Sequence, residues 1–167
     1  MKKTCCFTGH RPQDLPWGFF ERGEVFDDFI QRLRSAVTDL IDEGYVHFIS
    51  GMARGVDTLA AEIVLQLKEL YPHITLECAL PFAGQADNWP KVARARHADI
   101  LRRADKVTVV CEGTYMPYVM GARNKYMVDS SSVVIAGFHG GSGGTRNTVQ
   151  YAVDEGKRIV IVPPKAI

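Results

Sequence analysis

The sequence lacks the features that would mark it for a membrane, a metal or duplex nucleic acid. No apolar run approaches the roughly 20 residues needed to cross a bilayer, so no membrane partner is expected. The start MKKTCCFTGH has two lysines but no long apolar core behind them, which argues against a secretory signal. There are four cysteines, Cys5, Cys6, Cys78 and Cys111, and no CxxC pair. Adjacent Cys5 and Cys6 would point to opposite faces of a strand. Each cysteine lies in or beside an apolar run, so buried reduced thiols are expected, with no metal site and a cytoplasmic location. The formal net charge is +1, which gives no bulk electrostatic basis for wrapping a duplex but leaves room for a local basic cleft.

Two phosphate-binding signatures are missing as well. A dinucleotide fold wants GxGxxG straight after the first strand and an acid at the end of the second. Here the first strand ends TGHRP and the second ends in Ser50, which argues against a standard NAD site. A Walker A loop wants a lysine before its Ser or Thr, and GGSGGT has none. No cofactor is therefore expected.

What is present is a regular alternation. KTCCFTG, VHFIS, ITLECAL, KVTVVC, SVVIAGF and RIVIVP read as strands, with helical segments between them. In EVFDDFIQRLRSAVTDLIDEG, Val25, Phe26, Phe29, Ile30, Leu33, Val37, Leu40 and Ile41 fall on one stripe, and Gly44 ends the helix. Asn88 is expected to cap the third helix, with Pro90 in its first turn. The strands are continuous apolar runs, as expected when both faces are covered. Right-handed crossovers then give an α/β fold, a three-layer Rossmann-like open parallel sheet of about six strands. The expected order is 3-2-1-4-5-6, in one domain over residues 1–167.

In such a sheet, ligands bind beyond the C-terminal ends of the strands, near the topological switch point. Three glycine-containing turns face that edge: TGHRP (8–12), SGMARG (50–55) and HGGSGGT (139–145). Glycines let backbone N–H groups approach a phosphate, and helix N-termini supply partial positive charge. The candidate ligand-binding residues are Thr8, Gly9, His10 and Arg11 from the first turn, and Ser50, Gly51, Arg54, Gly55 and Asp57 around the second. Gly140, Gly141, Gly143, Gly144 and Thr145 come from the third, and Gln85, Trp89 and Arg123 from other loops at the same edge. The expected partner is a nucleotide-like small molecule; each turn read alone is also compatible with a plain glycine turn.

Several of these residues admit two roles. His10 is a candidate general acid or base, or a histidine that hydrogen-bonds its loop. Arg11 either clamps a phosphate or forms a surface salt bridge. Asp57 either favours the helix N-terminus or bonds a ribose, and Glu62 further along that helix is a weaker catalytic candidate. Trp89 either stacks a base or staples a helix, an ambiguity shared by Tyr115 and Tyr118. The basic run Lys91, Arg94, Arg96, Arg102 and Arg103 reads as a solvated helix face.

TGHRP, SGMARGVDTLAAE, PFAGQADNW, RNKYMVD and GGSGGTRNTVQYA occur in one order over nearly the whole chain. This ordered set resembles the YpsA/YoqJ-like family of the SLOG superfamily. The SG-x-A-x-G-x-D segment also looks like a turn of DNA-processing protein A. The GG-x-GT loop is similar to that of the LOG phosphoribohydrolases, which release a base from a nucleoside monophosphate. The resemblance implies a Rossmann-like domain that binds a nucleotide, a nucleotide derivative or nucleic acid, and a homo-oligomer. It brings no assigned reaction. The hydrolase branch has a catalytic glutamate three residues after the loop threonine, where this chain has Thr148, and a proline where it has His139. That departure weakens the N-glycosidase reading, and the low net charge weakens the single-strand nucleic-acid reading.

Overall fold

The computed structural model describes residues 2–166; positions 1 and 167, the ends of the expected domain, lie outside the described residues. Strand and helix alternate throughout: β1 (Thr4–Gly9), α1 (Glu24–Asp42), β2 (His47–Ser50), α2 (Val56–Leu70), β3 (Thr75–Leu80), α3 (Lys91–Arg103), β4 (Lys106–Val109), α4 (Val119–Asp129), β5 (Val133–Gly137), α5 (Gly144–Asp154) and β6 (Arg158–Ile161). All strand pairs are parallel, in one sheet of six. The α/β, Rossmann-like architecture is as expected.

The strand order differs. It is 4-3-2-1-5-6, not 3-2-1-4-5-6: β4 lies outside β3 at the sheet edge, and β1 pairs with β5. Burial accounts for this. β5 is buried at all five positions and takes a central place, whereas Val107 and Val109 of β4 are 44% and 46% exposed. The letters carry part of this difference, since Lys106 and Thr108 interrupt β4 and no polar residue interrupts β5. The order moves the switch point to the crevice between β1 and β5, because β1 leads through α1 to one side and β5 through α5 to the other.

Helices α1, α2 and α3 adjoin one another on one face, and α4 packs with α5 on the other. Beneath the first set lies the larger core, with Phe7, Phe48, Leu33, Val64 and Leu76; a smaller core under the second set contains Ile49, Met127, Val128, Val134 and Ala152. The α1 stripe holds at Phe29, Leu33, Val37, Leu40 and Ile41, while Val25 in the first turn is 38% exposed. Helix α3 starts at Lys91 with Pro90 at the cap position, so Asn88 is not its cap. Successive turn bonds, Asp87 N–H to Gly84 C=O and Trp89 N–H to Ala86 C=O, carry the chain round before the helix begins. The α3 basic run is not wholly solvated: Arg96 bridges Glu62 and Glu21, linking α3 to α2 and to the loop before α1.

Candidate anion cleft at the switch point

The three turns meet at the β1–β5 crevice. His10 N–H donates to Gly137 C=O at 3.1 Å, extending the β1–β5 pairing, and His10 C=O accepts the Val56 N–H that opens α2, also at 3.1 Å. Gly55 makes this contact possible. Its φ is +94°, and an added Cβ would stand 2.4 Å from the His10 carbonyl oxygen. The first turn is thus clamped onto the start of α2.

The second turn is braced from within. Ser50 Oγ donates to Asp57 C=O at 2.8 Å and accepts the Met52 N–H at 3.2 Å. Asp57 Oδ2 accepts the Ala53 N–H at 3.2 Å. Burial pushes the Asp57 carboxyl up from its ordinary value, against the pull of Arg123, of the Ala53 N–H and of Arg11. Gln85 Nε2 donates to Gly51 C=O at 3.0 Å, and Gln85 Oε1 lies 3.0 Å from His97 Nε2.

Arg123 reaches under this turn from α4 and is 3% exposed. Its Nη1 donates to Gly51 C=O and its Nε to Asn124 Oδ1 at 2.8 Å, while its Nη2 meets the Met120 thioether at 3.9 Å. Burial lowers its pKa, with Asp57 opposing and Arg11 adding to the effect. Among the described residues it forms no ion pair. A buried guanidinium with no paired carboxylate is costly unless another anion compensates it.

The third turn forms the facing wall. Gly143, with φ +117°, caps α5, and no side chain caps the first turn of that helix. Its leading N–H groups therefore lack side-chain partners at the cleft. Thr148, at the position of the hydrolase glutamate, is buried and donates to Gly144 C=O at 2.9 Å. At the mouth, the His10 and His139 rings lie 4.4 Å apart between centroids, and His139 N–H donates to His10 Nε2 at 3.3 Å. His10 Nε2 is then an acceptor. Burial, reinforced by His139, lowers its pKa and keeps the ring neutral near pH 7.

Of the sequence candidates, Thr8, Gly9, His10, Arg11, Asp57 and Arg123 line one cleft of about 170 Å³. Gly143, Gly144 and Thr145 complete its far wall. Ser50, Gly51 and Gly55 are buried beneath it as backbone supports, and Gln85 holds Gly51 in the same way. Gly140 and Gly141 belong to the turn but not to the lining, and Arg54 and Trp89 line an adjoining groove. Glu62 is not brought to the cleft: Arg96 engages both of its carboxylate oxygens. Asp14, Ala53, Asn124 and Ser142 join the lining without having been singled out. Asn124 and Ser142 sat inside quoted motifs, whereas Asp14 reaches the cleft through the 3-10 turn Pro12–Asp14, which no letter pattern announced. Two arginines, an uncapped helix start and a glycine wall thus meet at one cleft, with the carboxyls of Asp57 and Asp14 beside them.

Comparisons with known proteins agree with the motif order. A family model described as the YspA SLOG family, YpsA, matches residues 5–159. A UPF0398 protein of Halalkalibacterium halodurans is 31% identical over 131 residues, 77% of this chain and 68% of that protein. The SPbeta prophage-derived protein YoqJ of Bacillus subtilis is 33% identical over 133 residues, 72% of this chain and 78% of that one. Among solved structures, DNA processing protein A from Streptococcus pneumoniae is similar with a TM-score of 0.65 and 16% identity, over 96% of this chain. DNA processing protein A from Helicobacter pylori, described for its single-stranded DNA binding mode, gives 0.62 and 17% over 95% of this chain. This chain spans 50% and 64% of those two proteins, and at such identities the likeness is one of fold. No described helix is long and apolar enough to cross a membrane. The matched span and the YoqJ likeness place the chain in the YpsA family of SLOG proteins.

Proposed function

We propose that the cleft binds a phosphate-bearing ligand, a nucleotide or a nucleotide derivative. The observation that carries this reading is Arg123, which is 3% exposed, lines the cleft and has no ion pair among the described residues. A bound phosphate gives Arg123 an anion in direct contact, which nearby Asp57 does not, with exposed Arg11 and the first N–H groups of α5 closing around it. The reading is one of binding. Its N-glycosidase alternative keeps only Asp57 and Asp14 as cleft carboxyls, since Glu62 is engaged by Arg96. A second reading, single-stranded nucleic acid, is favoured by the fold likeness to a protein described for that binding mode.

Thermal unfolding against a panel of nucleotides tests the first reading. A ligand at a hundred times its Kd stabilises the native state by about 2.7 kcal/mol. For a chain of this size that raises the midpoint by roughly 5–10 °C. Arg11→Ala should remove the shift and leave the free protein's midpoint within about 1 °C, because Arg11 is exposed. A full shift in that variant refutes the site. Incubation with nucleoside monophosphates without release of free base removes the glycosidase alternative. The nucleic-acid reading requires affinity for a single strand that falls steeply as salt rises.

A further inference from the structure

The cleft opens at its rim into two larger grooves. One, of about 390 Å³, runs between α4 and α5 and shares Asn124 and Gly144 with the cleft. Its floor is largely apolar, formed by Met120, Gly121 and the Tyr151 ring. That ring is held in place by its hydroxyl, which contacts Asp129 at 2.6 Å and Glu155 at 3.1 Å. The other groove, of about 300 Å³, shares Arg11 and Ala53 with the cleft. It is lined by Trp89 and by Phe19, which is 57% exposed beneath the Arg54 guanidinium at 4.8 Å. Trp89 sets its ring against His97, with centroids 5.1 Å apart and planes at 83°. Met120 lines both grooves.

Resting on the reading of the cleft as a phosphate site, we propose that the ligand is a two-base unit, two nucleosides joined through phosphate. The bridging phosphate sits at Arg11 and Arg123, one base lies against Tyr151 between α4 and α5, and the other against Trp89 and Phe19. Two observations carry this. Both grooves exceed the 170 Å³ cleft and are lined by aromatic rings with a cation beside them, Lys125 at Tyr151 and Arg54 at Phe19, which suits planar bases better than further phosphates. They also join the cleft through different residues, so a ligand centred on the cleft can extend into both. A nucleoside monophosphate fills one groove and leaves the other open. The two-base unit can be a free dinucleotide or one step of a single strand, since the recognised chemistry is the same.

Titration calorimetry with inorganic phosphate, a nucleoside 5′-monophosphate, a dinucleoside monophosphate and a dinucleoside pyrophosphate tests this. The better two-base ligand should bind roughly tenfold to a hundredfold more tightly than the monophosphate. Trp89→Ala and Tyr151→Ala should each remove most of that advantage; their thermal midpoints, measured in parallel, show whether they fold. Phe19→Ala replaces Trp89→Ala if the latter does not. A decanucleotide binding more tightly than the dinucleotide points to a strand, and equal or weaker binding to a free dinucleotide; both uphold the two-base unit. Monophosphate binding as tight as two-base binding overturns the inference while leaving the phosphate site intact. Groove variants that keep full two-base affinity also overturn it. No binding by any probe, phosphate included, overturns the phosphate site with it.

Discussion

Gly55→Ala probes the clamp on which the cleft depends. Gly55 has φ +94° and ψ −132°, a conformation nearly restricted to glycine. An added Cβ would stand 2.4 Å from the His10 carbonyl oxygen and 2.9 Å from Arg11 Cα. The backbone conformation costs about 1–3 kcal/mol. Parting two backbone segments adds roughly 1–3 kcal/mol. The sum is a large share of the about 5–15 kcal/mol that holds a domain together. Gly143→Ala is the matched control: its φ is +117°, but an added Cβ meets no atom within 4 Å, so it bears the conformational cost alone. Urea unfolding followed by circular dichroism should show both midpoints lowered with unchanged slope, and Gly55→Ala lowered about twice as far. A Gly55→Ala midpoint equal to that of Gly143→Ala would refute the steric part of the reasoning. Gly55→Ala should also lose ligand binding, since it displaces the His10 carbonyl from the Val56 N–H.

Further outcomes follow from other parts of the molecule. Burial alone would raise the Glu77 pKa, but hydrogen bonds from His47, Tyr126 and Thr108, with Lys106 nearby, hold it at about 2 against an ordinary 4.5. Its contribution of roughly 3 kcal/mol should be fully present above pH 4.5 and lost as pH falls toward 2. Urea midpoints should follow that course in the native chain and flatten in Glu77→Gln. His10 has its pKa lowered by burial and by His139, so its share of stability is intact above about pH 6.5 and lost as pH falls below it. His10→Gln should remove that part of the acid sensitivity between pH 7.5 and 5.5. Burial raises the Cys5 thiol and pushes those of Cys6 and Cys78 to about 12, while Cys111 is partly exposed. A thiol reagent should therefore modify Cys111 alone in the native protein and all four after denaturation.

Much of the fold was legible because its signals are local. TCCFTG and VVIAG are short apolar runs ended by glycine, and the α1 stripe repeats with the helical period. Edge strands were the weak point. KVTV alternates Lys106 and Thr108 with its two valines where VVIAG is unbroken, and β4 has one neighbour and a mostly exposed surface. The cleft was legible in part for the same reason. TGHRP and HGGSGGT advertise themselves as glycine turns at strand ends, but Asp14 reaches the site only through a 3-10 turn. Glu62 shows the converse: one and a half turns beyond Asp57 it was a weak catalytic candidate, and Arg96, 34 residues away, takes it.

The sequence by itself determined the alternation of strand and helix, and with it the edge at which the glycine turns gather. Parallel strands joined by right-handed crossovers leave no other edge for those turns. Only the tertiary structure decided which turns become neighbours. Pairing β1 with β5 sets TGHRP beside HGGSGGT, and the packing of α4 on that face brings Arg123 beneath Gly51. Strand neighbours and helix placement follow from burial summed over the whole sheet, a non-local quantity that no window of residues contains.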